Sequence, residues 1–572
     1  MYRKFSSYLI FGGAGLVGMA TCRRIAVDLA PQRIVLCSLK LEESEAAVAE
    51  LAEEHPGVQW VADSGNLFVP TEFAQMGRGA LLGDPARRAA MLDFIFGPIE
   101  DAHASNHLGV LLRRHKPDAI VDCVNTATGI SYQDVWESTA SLRDDLKAVQ
   151  SDGMDAVSEF PQDLETGLLS QAMPQIIRHV RLLHMATRDV GVSIYIKVGT
   201  TGTGGMGLNI PYTHSEDRPS KQLLAKTAVA FSHTGLLFLL ARTPDGPVVK
   251  EVKPGAMIGY RGVEVRQITD RAGVPKPLYA PRLVQAATLS ELHTHIDPSE
   301  FEATGETLEM TVVNTGENGI FAKGEFAAIT ALSQMEFVTP EEIADTIVIE
   351  LQGGSTGRDI IGALDSTVME PSYRAGLLRH VALKDLSSQE RDHGKPSIAL
   401  GDLGPPELSK LLFEASLIQD SFGDQFLAAV QHPDGTPRTP EEVATRLADT
   451  IGDSLVGRQA VSIGIPVLLP DGCSFLRGPV IKVPEIKGRR KVASLQSPQD
   501  LDPWAVRGWI DLRPSNMARW QERFRKIDAA RQELARKGSA AVTRETYLPA
   551  ALKIGDVVAW IMNNEMGGYR IK

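Results

Sequence analysis

The sequence predicts an α/β protein, a doubly wound parallel sheet followed by a large C-terminal α+β extension. Three observations lead there. A short apolar, β-prone run at 8–11 passes through a glycine-rich turn into a helical stretch. Five further apolar runs, at 33–37, 58–62, 119–124, 192–198 and 248–252, recur with helical stretches between them. That alternation gives strands and crossover helices, hence a parallel sheet. Residues 356–572 then alternate loops such as His432-Pro433-Asp434-Gly435 with amphipathic helices, the clearest at 517–537, where Gly538 ends it.

The first strand carries the most chemistry. It is followed by Gly12-Gly13-Ala14-Gly15-Leu16-Val17-Gly18. Glycines let the backbone turn tightly and approach a pyrophosphate, and the helix N-terminus offers N–H groups and a positive dipole end. Placed between strand and helix, these residues read as a Rossmann-type dinucleotide loop. Arg3, Lys4, the apolar run and Cys22 imitate a signal peptide. The three-residue spacing of Gly12, Gly15 and Gly18, and the helix and strand that continue behind them, oppose it.

The second strand should end near the adenosine ribose, where a carboxylate favours NAD. Ser38 stands there instead, with Lys40 close behind. A missing acid and a nearby cation lean toward a 2′-phosphate, so NADP is expected, with NAD as the alternative if Glu42 or Glu43 supplies the acid.

The third strand leads into Asn66-Leu67, the fourth into Asn125-Thr126-Ala127-Thr128-Gly129, and the fifth into Gly199-Thr200-Thr201. The sixth runs into Lys253-Pro254-Gly255-Ala256-Met257-Ile258-Gly259, and Phe337 to Ala344 opens another helix. This series resembles the extended short-chain dehydrogenase/reductase family, which includes nucleotide-sugar epimerases and dehydratases. The likeness covers roughly residues 5–355, with apparent insertions around 68–100, 130–165 and 262–330. It implies a cofactor domain at 1–355 and a substrate or oligomerisation region at 356–572. It also implies that Gly12 to Gly18, Ser38, Lys40, Asn66, Leu67, Asn125, Thr126, Ala127, Lys226, Pro254 and Gly255 line the cofactor.

The family catalyses with a Ser/Thr hydroxyl, a tyrosine and a lysine four residues after the tyrosine. The tyrosine exchanges the hydroxyl proton, and the lysine lowers its pKa. Thr201 (or Thr200) fits the hydroxyl role and Lys226 the lysine, but Gln222 stands where the tyrosine belongs. If Lys221 were the lysine, its partner would be Asp217. Tyr212, in the loop before the helix, is the substitute acid/base, with His214 as a second candidate. The loop Gly202-Thr203-Gly204-Gly205-Met206-Gly207 suits either closure on a substrate or a plain flexible turn. The expected activity is hydride transfer at a carbonyl or hydroxyl carbon of a small molecule. An epimerase, dehydratase or lyase that recycles a bound cofactor is the enzymatic alternative. The broken tyrosine motif also leaves open a cofactor-binding sensor or assembly protein.

Composition agrees. Of 572 residues, 43% are hydrophobic, enough for a buried core rather than disorder. At ~150 residues per domain the length suggests three or four domains. The net charge of −12 supplies no basic field for nucleic acid or an anionic membrane. Four scattered cysteines form no CxxC pair, as in a reducing cytoplasm. The apolar run at 227–241 is shorter than the ~20 residues a bilayer needs, and sits where family members pack against a second subunit, so a homodimer or larger assembly is expected.

Other constellations carry less. His293-x-His295-x-Asp297, with Glu300 behind, has the look of a metal cluster, but Asp297-Pro298-Ser299-Glu300 reads more simply as a helix start, so no metal is expected. The Thr-Pro-Glu-Glu segments at 339–342 and 439–442 are capping boxes. Lys487-Gly488-Arg489-Arg490-Lys491 reads as a solvated loop or a site for an anionic tail. Asp365-Ser366-Thr367 and Tyr373-Arg374 are pocket candidates.

Overall fold

The computed structural model describes residues 5–126, 129, 135–153, 160–199, 221–254, 257–270, 273–316, 319–331, 334, 337–354, 356, 373–403, 405–425, 427–452, 454–484, 492–537 and 551–565. The chain divides into two compact units: residues 1–205, 219–259 and 337–375 form one, and residues 206–218, 260–336 and 376–572 the other.

The first unit is a Rossmann-type α/β fold. Strands β1 (Ser7–Phe11), β2 (Arg33–Ser38), β3 (Gln59–Ser64), β4 (Ala119–Asp122), β5 (Ile194–Val198) and β6 (Val248–Val252) form one sheet in the order β3-β2-β1-β4-β5-β6. All neighbours are parallel, and the order reverses between β1 and β4, the switch point where such sheets bind ligands. Six helices cover it: α1 (Leu16–Leu29), α2 (Leu41–Glu54), α3 (His107–His115), α4 (Ala172–Val190), α5 (Lys221–Leu240) and α6 (Pro340–Leu351).

The strands are apolar on both sides because both sides are covered. Ile10, Leu36, Val121 and Ile196 pack against Ile25 of α1, Leu51 of α2 and Ile347 of α6. Leu9, Phe11, Ile120 and Val249 pack on the other face against Leu111 of α3, Leu183 of α4 and Leu237 of α5. Each fully buried Leu or Ile contributes roughly 1.5–3 kcal/mol relative to an exposed one.

Two strands are shorter than their apolar runs suggest. β4 ends at Asp122 because the Asp122 carboxylate takes the Val124 N–H (2.9 Å) and Lys197 takes the Val124 carbonyl, which draws the chain out of the ladder. β5 begins at Ile194, after Ser193 N–H is tied to the Asp118 carbonyl (2.8 Å).

The 68–100 stretch folds as short helices, Arg78–Leu82 and Pro85–Phe96, and the 130–165 region contributes Val135–Asp152 and Phe160–Leu169. The 262–330 stretch falls in the second unit. Both capping boxes form: Thr339 and Glu342 close α6, with the Glu342 carboxylate accepting the Thr339 N–H at 2.8 Å, and Thr439 and Glu442 start the helix Pro440–Ile451 in the same way.

The second unit is α+β. Ile320–Ala322, Glu309–Asn314 and Gly262–Gln267 form an antiparallel sheet, and Ile510–Asp511, Val467–Leu468, Ser474–Arg477 and Arg282–Gln285 a mixed one. The helix expected at 517–537 begins earlier, as Pro514–Lys537, because proline is well tolerated in a first turn. Glu414, fully buried on Pro406–Phe422, is satisfied by Lys410, by the Asp511 N–H (2.8 Å) and by the Trp520 indole N–H (2.7 Å). Among the described residues no helix is long and apolar enough to cross a membrane.

Candidate functional site

The site lies at the carboxyl ends of the parallel strands, and glycine builds its floor. Gly12 has φ +70°, and a Cβ there would sit 3.1 Å from the Cys123 carbonyl carbon, so the loops after β1 and β4 touch at the switch point. A Cβ on Gly18 would fall 2.3 Å from the Gly12 carbonyl oxygen, so only glycine lets α1 pack so tightly behind the loop. Gly15 caps α1 with no side-chain acceptor for the first-turn N–H groups. An uncapped helix start behind a glycine cradle is a ready anion site.

Ser38, at the tip of β2, accepts the Ala14 N–H on its Oγ (3.1 Å), while its own N–H donates to Ser44 Oγ (2.9 Å). It therefore braces the glycine loop from the tip of β2. Lys40 is exposed just before α2, and Glu42 and Glu43 are exposed in the first turn of that helix. Asn66 forms an Asx turn, its Oδ1 accepting the Phe68 N–H (3.0 Å), and Leu67 is buried in the core. Asn125 is half-buried, and Thr126 is buried with its Oγ1 unpartnered. Pro254 is half-buried after β6.

Lys226 is half-buried on α5, one turn before Ala230 and two before His233. That spacing puts it on the sheet-facing stripe, at the end of α5 nearest the carboxyl edge. Thr201 (with Thr200), Tyr212, His214, the 202–207 loop, Ala127 and Gly255 lie outside the described residues, as do 365–367 and 487–491.

What sequence reading missed is a buried charged layer beneath this edge. Asp122 on β4, Lys197 on β5 and Glu251 on β6 stand in direct register across the three strands. Lys197 Nζ is 2.9 Å from Asp122 Oδ1, and the Tyr195 hydroxyl donates to Asp122 Oδ2 at 2.6 Å. Past β6, Lys253 Nζ donates to Thr234 Oγ1 on α5 (2.8 Å) and pairs with Glu251 Oε1 (3.3 Å). Burial, with Asp122 second, holds the Tyr195 phenol well above its ordinary value. Burial outweighs the pull of Asp122 and holds His179 down at about 4. Burial, then Lys197, His179 and Lys253, keeps His233 well below its usual range. Both imidazoles are therefore neutral near pH 7. The available signal was charge inside three otherwise largely apolar runs: Asp122 in the fourth, Lys197 in the fifth, and Lys250 with Glu251 in the sixth.

The His293 cluster takes another form. His293 ends the strand Glu291–His293, and both it and His295 are exposed. Pro298–Glu300 is a single 3₁₀ turn, rather than a longer helix, capped by Asp297. Among the described residues no group of three or more His, Cys, Asp or Glu is placed to hold a metal.

Residues 280–566 match the sequence profile of a family described as beta-methylindole-3-pyruvate reductase C-terminal domain, a stretch that makes up half of the chain. No curated protein matches. Solved structures that the chain resembles include a 3-ketoacyl-ACP reductase from Sinorhizobium meliloti (15% identity, 66% of this chain and 94% of that one, TM-score 0.26). A short-chain dehydrogenase from Sphingobium yanoikuyae in complex with NADPH is 13% identical over 68% of this chain and 95% of that one (TM-score 0.26). The Bordetella bronchiseptica enzyme WbmG in complex with NAD is 13% identical over 45% and 57% (TM-score 0.21).

Proposed function

Since the chain belongs to the family of the beta-methylindole-3-pyruvate reductase C-terminal domain, we propose that it is an NAD(P)-dependent oxidoreductase that reduces the keto group of a 2-oxo acid. The observation that carries this reading is the glycine cradle at the switch point, in one chain with that family's domain. The close-packed glycine turn, the uncapped start of α1 and the unpartnered Thr126 hydroxyl fit a dinucleotide. Ser38 and Lys40, with no acid at the tip of β2, favour NADP over NAD.

A bound nicotinamide cofactor supplies the hydride. The chain's own residues hold the substrate and supply the proton: Thr201 orients the keto oxygen, Tyr212 is the acid that protonates it, and Lys226 contributes the positive charge that eases that transfer. Leu224, Phe231 and Leu239, exposed along α5, support a homo-oligomer formed on that helix. The substrate is a small molecule, and the acidic chain favours no nucleic-acid or membrane partner.

The test is NADPH consumption, followed at 340 nm, with a panel of aliphatic and aromatic 2-oxo acids, including an indole pyruvate. Turnover of at least one member is expected, and its loss in Tyr212→Phe would support the residue assignment. Cofactor binding with no turnover across the panel would overturn the reductase reading in favour of a sensor.

A further inference from the structure

The buried charged layer has an order. Across β4, β5 and β6 the signs alternate, Asp122, Lys197, Glu251, and two residues beyond Glu251 comes Lys253. The two negative and two positive groups balance, so the layer is close to neutral as a whole. Asp122, at one end, accepts from Lys197, Tyr195 and the Val124 N–H. Lys253 stands past the last residue of β6, so the positive end of the row faces the carboxyl edge of the sheet.

Its position there is fixed by neighbours on three elements. Thr234 Oγ1 on α5 takes one N–H (2.8 Å), Glu251 Oε1 on β6 takes another (3.3 Å), and a Cβ built on Gly199 after β5 would lie 3.2 Å from the amine. The Phe231 ring, exposed on α5, has its centre 5.7 Å away. The Lys253 side chain is 1% exposed; burial pulls its amine below the ordinary lysine range and Glu251 opposes that pull, so the ammonium is held as an ion pair with little solvent screening. In a sheet with this strand order the adenosine half of a dinucleotide lies over β1 to β3 and the other half over β4 to β6. Lys253 is a cation at that second end, on the strand side, as Lys226 is on α5.

The geometry points to Lys253, held by Glu251 and Thr234, as the group that sets which redox state of the nicotinamide the chain binds. This rests on the dinucleotide reading above. The oxidised ring carries a positive charge and the reduced ring none, so a fixed, poorly screened ammonium near the ring penalises the oxidised form alone. The chain then holds NADPH in preference to NADP+ and releases the oxidised product. For the reaction written as NADPH, a proton and a keto group giving NADP+ and an alcohol, that preference opposes the hydride-transfer step itself but speeds release of NADP+ and limits inhibition by the oxidised product.

The experiment measures the dissociation constants of NADPH and NADP+ for the full chain and compares their ratio. The two ligands share the phosphates, riboses and adenine, so a merely structural loss moves both alike and leaves the ratio unchanged. Lys253→Met is expected to tighten NADP+ relative to NADPH at least fivefold, because Glu251 is then left facing the ring. Lys253→Arg keeps the ratio within twofold. Should Lys253→Met fail to fold with Glu251 buried and unpaired, the double variant Glu251→Gln with Lys253→Met removes both charges and decides the question, with at least a threefold shift expected. A folded variant lacking the ammonium whose ratio stays within twofold of wild type overturns the assignment and leaves the dinucleotide site standing. A wild-type chain that binds neither nucleotide overturns the dinucleotide reading and Lys253's role with it.

Discussion

Asp122 and Lys197 face each other across parallel strands β4 and β5, with Nζ 2.9 Å from Oδ1 and neither side chain more than 4% exposed. Removing one member of such a pair leaves an uncompensated buried charge, which costs about 3–5 kcal/mol, whereas removing both is far milder. Lys197→Met is therefore expected to lose about that much stability in urea denaturation. Adding Asp122→Asn should recover most of the loss, since the amide oxygen can still accept the Val124 N–H while the amide NH2 donates to the Tyr195 hydroxyl. A single variant within 1 kcal/mol of wild type would show that the pair is not load sharing in this way. Because Lys197 also holds the Val124 carbonyl, the same variant should loosen the loop carrying Asn125 and Thr126 and weaken NADPH binding.

Gly12 offers a second, independent handle on the cradle. At φ +70° an L side chain is strained by roughly 1–3 kcal/mol, and its Cβ would also press on the Cys123 carbonyl at 3.1–3.2 Å. Gly12→Ala should push the β1 loop away from the β4 loop and close the space meant for the pyrophosphate. We expect at least a tenfold rise in the NADPH dissociation constant, read by fluorescence titration, with the far-UV circular dichroism unchanged. Unchanged affinity would mean that the cradle is not where the nucleotide binds.

The sequence alone exposed the six strands because a parallel sheet covered on both faces demands near-continuous apolar runs, and the loop after β1 because glycine spacing is a local signal. The layer of Asp122, Lys197, Glu251 and Lys253 was not legible in this way. In sequence Asp122 and Lys197 each look like a stray charge in an apolar run and Glu251 and Lys253 like part of a charged strand end, and only the register that pairs Asp122 with Lys197 and Lys197 with Glu251 makes them one structure. Register is a property of the assembled sheet. Strand Gly262–Gln267 pairs with Glu309–Asn314 within the second unit, so the stretch read as an insertion at 262–330 interrupts the first unit in sequence and folds with the other, which sequence order alone does not reveal.

In that second unit Glu325 titrates unusually. Burial pushes its carboxyl up to about 7, against the pull of backbone N–H groups from Ala322, Leu400 and Gly401. A raised folded-state pKa means that the folded chain keeps a proton which the unfolded chain has lost. Stability from this group is therefore full below about pH 4.5 and declines as pH rises from there toward 7, by up to about 1.4 kcal/mol per pH unit. Glu325→Gln cannot titrate and should flatten that decline. Tryptophan fluorescence suits the measurement, because Trp504, Trp509, Trp520 and Trp560 all belong to this unit. Equal slopes between pH 5 and 7 for wild type and variant would reject the assignment.

The choice between NADP and NAD turns on the tip of β2. Ser38 is committed to the glycine loop through the Ala14 N–H at 3.1 Å, which leaves the exposed Lys40 as the nearby cation for a 2′-phosphate. An exposed ammonium acts on that phosphate within a Debye length of about 8–10 Å, so its effect should fade with salt. Lys40→Ala is expected to weaken NADPH about tenfold at low ionic strength while NADH binding stays within twofold, and the gap should narrow as salt is added. Ser38→Asp tests the same position from the other side: a carboxylate there repels the phosphate and accepts from a free 2′-hydroxyl, so preference should move toward NADH. If Lys40→Ala weakens both nucleotides equally, the lysine senses only the shared pyrophosphate, and the preference for NADP loses its physical basis.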